Sequence, residues 1–365
     1  MEWTDFWDRC LPISTVITPA TLSVNTVLHT YSQSMNVPVL QISNPDFFRE
    51  FAYTVNSTDR NLQKCLGPRT KLIRLAVATA TSGQILELPS PFTNTTYQQT
   101  FNTPLVRCQG ANATVTSQID AAATTQNEAL DLSVREISND YFALVPAVNT
   151  QNSTSSTILA ADISNPNGAM HTSNQIWLRF SRSDDSTSSN DILQQSNMHY
   201  LVCELQNASY TVNISWVNGK QSITNIQLDT INSVPYPTNL SYFAVEEERI
   251  AYSAFMWALS TRITGQLSFY RDVSSTNESA ADVNANRTYS EIATNLEQTS
   301  LLGSSDLYSY FQKNHALGAE GHPTEPYSPQ RLQDMDIARN RTLDVLIEEL
   351  SFNITISLMS NSHFA

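Results

Sequence analysis

The chain has few of the residues that nucleotide-binding and nucleic-acid-binding motifs require. Its 365 residues include nine glycines, and none forms a Gly-rich phosphate loop or a Gly-x-Ser-x-Gly elbow. Lys and Arg number 20 against 34 Asp and Glu, so the formal net charge of −14 repels phosphate backbones. The six histidines never recur at i, i+2 or i, i+4, where one strand or helix would offer two metal ligands. We therefore expect no cofactor, no metal site and no nucleic-acid partner.

Long hydrophobic runs are also missing. No stretch approaches 18 continuous apolar residues, and Met1 to Leu11 lacks the basic and apolar segments of a signal peptide. Hydrophobic residues make up 41% of the chain, which is sufficient for a sizeable core. Charged residues make up 15%, below the roughly 25% of typical soluble domains, and Ser, Thr and Asn take their place. This composition is typical of a secreted or wall-facing surface.

Acceptor sites for N-glycosylation, Asn-x-Ser/Thr, occur along the whole chain. There are eleven, at Asn56, Asn94, Asn112, Asn152, Asn207, Asn213, Asn239, Asn277, Asn286, Asn340 and Asn353. Their spread predicts a surface that has passed through a secretory lumen. The alternative is that a composition rich in Asn, Ser and Thr produces them by chance.

The four cysteines are an even number without a Cys-x-x-Cys pair, which disfavours a zinc site. Cys108 and Cys203 each follow a strand-like run, a setting that disulfide partners often share. We take Cys65, Cys108 and Cys203 as the disulfide candidates, with Cys10 as the fourth thiol. Three pairings are open, and four free buried thiols are the alternative.

The clearest local structure is a β-hairpin from Tyr200 to Leu228. Asn218-Gly219 is the dipeptide that most readily adopts a type I′ turn. In the strand before it, every second residue from Tyr210 to Trp216 is apolar, and Asn213 falls on the polar side. We expect the core to lie under the apolar side and the glycan acceptor to face outward.

Three helices are predicted. Residues 69–81 form the first, with Gly83 as its stop. The second, Val245 to Thr264, is apolar on two sides and should be sandwiched in the core. The third begins at Ser328-Pro329 and keeps helical spacing towards Met359, although alternation after Phe352 also allows a final strand. The expected fold is α+β: an antiparallel β-rich core with a buried helix and a long C-terminal helix packed on it.

The chain is expected to form one main domain. Residues 1–30 carry aromatic residues before a Pro-interrupted apolar stretch, which is typical of a chain leaving a membrane interface, or of a simple hydrophobic arm. Residues 31–365 then form a single extracellular-type α+β domain. Polar insertions are expected near 149–192 and 271–300, where Ser, Thr and Asn dominate.

Carboxylate and aromatic clusters have ordinary structural explanations. Glu246–Glu248 fit a helix N-terminus, and Glu348-Glu349 and Asp184-Asp185 fit solvated surface. A glycosidase needs only two facing carboxylates, which sequence spacing does not reveal. Four aromatic residues could stack on a sugar but are more typical of a core: Trp177, Tyr200, Tyr210 and Trp216.

Three stretches resemble a large family of fungal multi-pass membrane proteins that has no established activity. They are Cys10–Val24 (CLPISTVITPATLSV), Tyr200–Tyr210 (YLVCELQNASY) and Asn340–Thr355 (NRTLDVLIEELSFNIT). The resemblance implies a glycosylated extracellular domain between transmembrane helices. The sequence departs from the family pattern because it lacks every transmembrane helix, so it resembles the extracellular domain alone, as from a truncated gene model.

These observations predict a noncatalytic extracellular domain, facing the cell surface or cell wall, that binds or senses. The alternative is a secreted carbohydrate-active hydrolase. The expected partner is a cell-wall glycan or another surface protein. The expected location is the extracellular side of a membrane or the secretory pathway, and the protein would be soluble if the chain is complete.

Overall fold

The computed structural model describes most of the chain from residue 37 onwards. The described residues are 37, 39, 40, 42, 49–57, 62–90, 92–129, 135–146, 173–182, 198–236, 245–272, 287–292, 294–308, 310 and 329–361. The chain divides into two compact units, Met1–Val37 and Pro38–Ala365. The elements below all belong to the second unit. The arm predicted at 1–30 lies outside the described residues and stays a prediction.

The predicted hairpin is confirmed. Strand β6, Met198–Val217, turns at Asn218 and Gly219 into strand β7, Lys220–Ser233. The turn residues have φ angles of 53° and 77°, the two positive values that a type I′ turn requires. The hairpin is therefore set by local backbone chemistry, as its sequence predicted.

Strand β6 organises a seven-stranded antiparallel sheet. The whole of strand β3, Thr95–Gly110, pairs with residues 201–216 of β6. On its other side, β5 (Gln175–Ser181) pairs with the first part of β6 and β7 with the rest. The remaining strands of the sheet are β4 (Arg135–Leu144), β8 (Gly265–Asp272) and β9 (Arg287–Ile292). The strand order is β3-β6-β5-β4-β8-β9, with β7 beside β6. A separate pair comprises β1 (Ala52–Ser57) and β2 (Leu62–Pro68).

Helices cover both faces of the sheet. On one face, α1 (Thr70–Ser82) and α3 (Val245–Ile263) pack into the main hydrophobic core. Residues 250–260 of α3 are all buried, which confirms the prediction of a sandwiched helix. On the opposite face, α2 (Ala113–Ala129) places Ile119 and Ala123 against Trp177 of β5. The α+β class predicted from the sequence is thus confirmed.

The C-terminal region forms two helices, so the prediction of a single long helix is wrong. Helix α4 spans Pro329–Ala338 and helix α5 spans Leu343–Ser357, followed by a short 3-10 turn. The break has a tertiary cause, because the carbonyl of Arg341 accepts from the N–H of Ser305 at 2.9 Å. The N–H of Leu343 donates to the buried carboxylate of Asp306 at 2.7 Å. The alternative of a final strand after Phe352 is also wrong, since α5 continues through it.

Helix α5 covers the outer edge of β3. Along the helix, Glu348 and Ser351 accept from the backbone N–H groups of Cys108 and Val106, each at 2.9 Å. One helical turn further, Thr355 donates to the carbonyl of Pro104 at 3.0 Å. These partners lie two residues apart on β3, the spacing of outward backbone groups at a sheet edge. The polar stripe of α5 therefore occupies the place of a neighbouring strand along residues 104–108 of β3, where it pairs the backbone groups of the edge.

Parts of the two regions predicted as polar insertions are described by the structure. Within 149–192, residues 175–181 form β5, which lies between β6 and β4 in the sheet. Within 271–300, β9 pairs with β8, and two 3-10 turns, Leu296–Gln298 and Ser300–Gly303, carry buried residues. Leu301 is 1% exposed. Both regions therefore contribute structure to the domain, and their other residues lie outside the described ranges.

Candidate functional site: the glycan-acceptor surface

A disulfide joins the two longest strands of the sheet. Cys108 of β3 and Cys203 of β6 are direct register partners, and their sulfur atoms are bonded. Of the three pairings that the sequence left open, the structure therefore places this one. The side chain of Cys203 is fully buried and that of Cys108 half-buried. Cys65 lies on β2 outside the described side chains, and Cys10 lies outside the described residues.

Three predicted glycan acceptors lie at exposed positions. Asn94 precedes β3, and its Oδ1 accepts from the N–H of Asn218 at the hairpin turn, at 2.8 Å. Asn112 caps α2, with its Oδ1 accepting from the N–H of Val115 at 2.9 Å. Asn340 lies in the break between α4 and α5. Because attachment uses Nδ2, the bonds to Asn94 and Asn112 leave the acceptor nitrogen available.

Asn213 lies on the outward side of β6, as predicted, and is half-buried. The outward residues of β3, β6 and β7 form an array of four rows, which we name the polar face. Its members are Thr96, Ser215 and Ser222; Gln98, Asn213 and Thr224; Thr100, Thr211 and Gln227; and Asn102, Ser209 and Asp229. The core side of the same strands holds Phe101, Tyr210 and Trp216. Because successive side chains of β6 point to opposite sides, one side of the strand faces the core and the other forms the polar face.

Asn207 is held more tightly. It lies beside a β-bulge, where the register with β7 shifts between Asn207 and Ala208. Its Oδ1 accepts from the hydroxyl of Tyr252 in α3 at 2.9 Å. The residue is half-buried, so its amide contributes to the contact between α3 and the sheet.

Asn353 is unsuited to carry a glycan in the folded chain. It is 6% exposed, and its Nδ2 donates to the carbonyl of Gly83 at 3.0 Å. Thr355, the third residue of this acceptor site, is fully buried against β3. The glycan predicted at Asn353 from its sequence motif does not fit this buried position. Asn353 serves instead to cap the carbonyl end of α1.

We expect Asn353 to be unmodified in a glycopeptide map, and Asn353→Asp to destabilise the fold by about 2 kcal/mol. The carboxylate would leave the carbonyl of Gly83 without its buried donor and bring two oxygens together. Urea denaturation measures the loss. Asn340→Asp, at an exposed acceptor site, is the matched control and should change stability by less than about 0.5 kcal/mol. A glycan found on Asn353 of folded protein would contradict this assignment.

The other acceptor sites are not covered by the described side chains. Asn56 lies on β1, and its side chain is not described. The remaining four lie outside the described residues: Asn152, Asn239, Asn277 and Asn286. Glycosylation at all of these positions stays a prediction.

A polar cluster lies where α2 meets the sheet, and no spacing in the sequence predicted it. Asp120 of α2 pairs with Arg179 of β5, with 2.7 Å between Oδ1 and Nη1. The hydroxyl of Tyr200 donates to the same carboxylate at 2.9 and 3.0 Å. Burial, followed by the adjacent Asp120 carboxylate, raises the pKa of Tyr200. The cluster fixes α2 on the sheet, since each member has its partner within it.

The predicted solvated carboxylates behave differently from one another. Glu348 is not a free surface group, because it binds Arg107 as well as the backbone of β3. Glu349 pairs with Arg341 at the surface. The side chains of Glu246 and Glu247 are not described, and Asp184 and Asp185 lie outside the described residues.

The aromatic residues considered as a sugar platform lie mostly in the core. Trp216, Tyr210 and Trp177 are 1%, 0% and 7% exposed. Tyr200 is half-buried within its cluster with Asp120. Trp216, Tyr210 and Trp177 are therefore core residues.

No helix among the described residues has the length and hydropathy that a membrane span requires. The same residues contain no group of three or more His, Cys, Asp or Glu side chains placed to hold a metal ion. Comparison of the chain with protein-family models, with curated proteins and with solved structures found no match.

Proposed function

We propose that the chain is a noncatalytic extracellular domain of a glycoprotein, with a binding or sensing role at the cell surface or cell wall. The observation that carries this proposal is the position of its glycan acceptors. Asn94, Asn112 and Asn340 are exposed and Asn213 is partly exposed. Asn94 and Asn112 accept their hydrogen bonds through Oδ1, which leaves Nδ2 for the glycan. The disulfide supports the same compartment, because such bonds form and persist in oxidising environments.

Three carboxylates of the described residues have structural partners, which supports the noncatalytic role. A glycosidase needs two carboxyl groups that face each other about 5 to 10 Å apart across the substrate. Asp120, Glu348 and Asp306 lie in separate parts of the domain, and each is bound to its own arginine. These pairs hold elements of the fold together, which is sufficient to explain them.

The proposal extends to the partner and the setting. A cell-wall glycan or another surface protein fits a surface with few charges, whereas the charge of −14 disfavours nucleic acid. The resemblance to fungal multi-pass membrane proteins supports a place for the domain between membrane helices. The setting is then the extracellular side of a membrane.

The test is production of the full chain in a eukaryotic secretory host, with an added signal peptide. We expect secreted protein whose mass falls after endoglycosidase treatment, and binding to members of a glycan array without turnover of chromogenic glycosides. Turnover abolished by replacing one Asp or Glu would instead establish the hydrolase. A chain that is retained, or secreted without any glycan, would overturn the proposal.

A further inference from the structure

The polar face is unusual in its chemistry. Of its twelve side chains, only Asp229 is charged, and the others are Ser, Thr, Asn or Gln. Neighbouring hydroxyls already interact across the strands, with 2.9 Å between the Oγ1 atoms of Thr100 and Thr211. Such a surface offers donors and acceptors to neutral hydroxyl groups. None of the twelve is an apolar or aromatic anchor of the kind that dominates protein interfaces. Ile226, which lies between Thr224 and Gln227 along β7, is 47% exposed.

Asn213 occupies the middle of this face. It lies on the central strand of the three, between its direct partners Gln98 on β3 and Thr224 on β7, both of which are exposed. By strand geometry, the four rows extend over about 20 Å and the three strands over about 10 Å. A sugar attached at Asn213 would therefore have hydroxyl and amide groups on every side.

From these observations, and resting on the proposed function, we propose that Asn213 carries an N-glycan that lies flat on the polar face and covers it. The first sugars bind Gln98 and Thr224, which share the row of Asn213, and the side chains of the adjacent rows. Neutral sugar matches a face with one charged residue among twelve, and its attachment point fixes it there without a separate binding step. The glycan thus replaces water over three strands whose other face forms the core.

The test is the rate at which each glycan is released from the folded, secreted protein by an endoglycosidase. Glycopeptide mapping at successive times reports each site separately. We expect Asn213 to be occupied and its glycan to be released roughly tenfold more slowly than that of Asn112 or Asn340, because hydrogen bonds to the face must break first. After denaturation, all sites should be released at the same rate. Replacing Gln98 and Thr224 with alanine should speed release at Asn213 alone.

The possible failures are distinguishable. An empty Asn213 beside occupied Asn94, Asn112 and Asn340 would overturn this inference and leave the proposed function standing. Release from Asn213 as fast as from Asn112 would do the same, since the glycan would then extend into solvent. Absence of glycan at every site would overturn both. The Asn213→Gln variant can also be mixed with a soluble neutral polysaccharide. If the polysaccharide binds and slows hydrogen exchange of the β7 amides, the face serves an external ligand instead.

Discussion

Replacing Cys108 and Cys203 together with alanine should lower the free energy of unfolding by about 4 kcal/mol. The bond closes a loop with a sequence separation of 95 residues, and a cross-link of that length removes much conformational entropy from the unfolded chain. Cys203 is also fully buried, so its truncation loses packing. Urea denaturation of the oxidised protein and the double variant measures the difference.

The control for this pair is Thr100→Ala with Thr211→Ala. These residues are also register partners of β3 and β6, and their hydroxyls lie 2.9 Å apart. Removing them cuts no covalent bond, so a loss below about 1 kcal/mol is expected. If the cysteine and threonine variants lost the same amount, the strand pairing alone would hold the sheet together and the cross-link would be dispensable.

Asp306→Ala should cost about 3 kcal/mol. The carboxylate is 1% exposed, and it accepts from the N–H of Leu343 at the start of α5. Its Oδ1 lies 2.6 Å from Nε and Nη2 of Arg182, which follows β5. The variant would leave a buried backbone donor without an acceptor and a cation without its counter-charge. Chemical denaturation gives the loss, and circular dichroism reports the helix content.

Two variants sharpen this result. Asp306→Asn keeps an acceptor for Leu343 and loses only the charge, so it should retain about half of the stability that the alanine variant loses. Asp336→Ala removes an exposed carboxylate from α4 and should be nearly neutral. An alanine variant at Asp306 as stable as that at Asp336 would show that α5 starts at Leu343 without this cap.

Local chemistry explains which elements could be predicted from the sequence. Asn218 and Gly219 suit a type I′ turn whatever surrounds them, and Gly83 ends α1 in the left-handed conformation, at φ 67°. The apolar residues of α3 surround the helix, so its burial needs no further information. These features depend on neighbours in sequence, and the structure confirms them.

The elements that were missed depend on contacts between distant residues. Nothing in residues 339–342 forbids a helix, and the break arises because Ser305 and Asp306 bind the backbone there. Helix α2 is weakly amphipathic, and among its described side chains Ile119 and Ala123 are the buried ones. The start of α2 is marked by the cap residue Asn112, but in the sequence Asn112 also fits the motif of a glycan acceptor.

The same limit applies to the candidate surface. The alternation of β6 placed Asn213 outward, but the rows on β3 and β7 follow from strand register, which the sequence did not specify. Asn353 matches the acceptor motif as well as Asn213 does. Its burial results from α1 and α5 meeting, so only the tertiary structure distinguishes the two asparagines.

The position of α5 along β3 also matters while the chain is being synthesised. Strand β6 is complete at residue 217, whereas the helix that covers the outer edge of β3 ends at Ser357. At translation rates of 5 to 20 residues per second, the interval is on the order of ten seconds. Throughout it, a nascent β3–β6 pair presents the backbone of Pro104, Val106 and Cys108 to other chains. Newly made chains would therefore depend on chaperones, or on well-spaced ribosomes, until Glu348, Ser351 and Thr355 emerge.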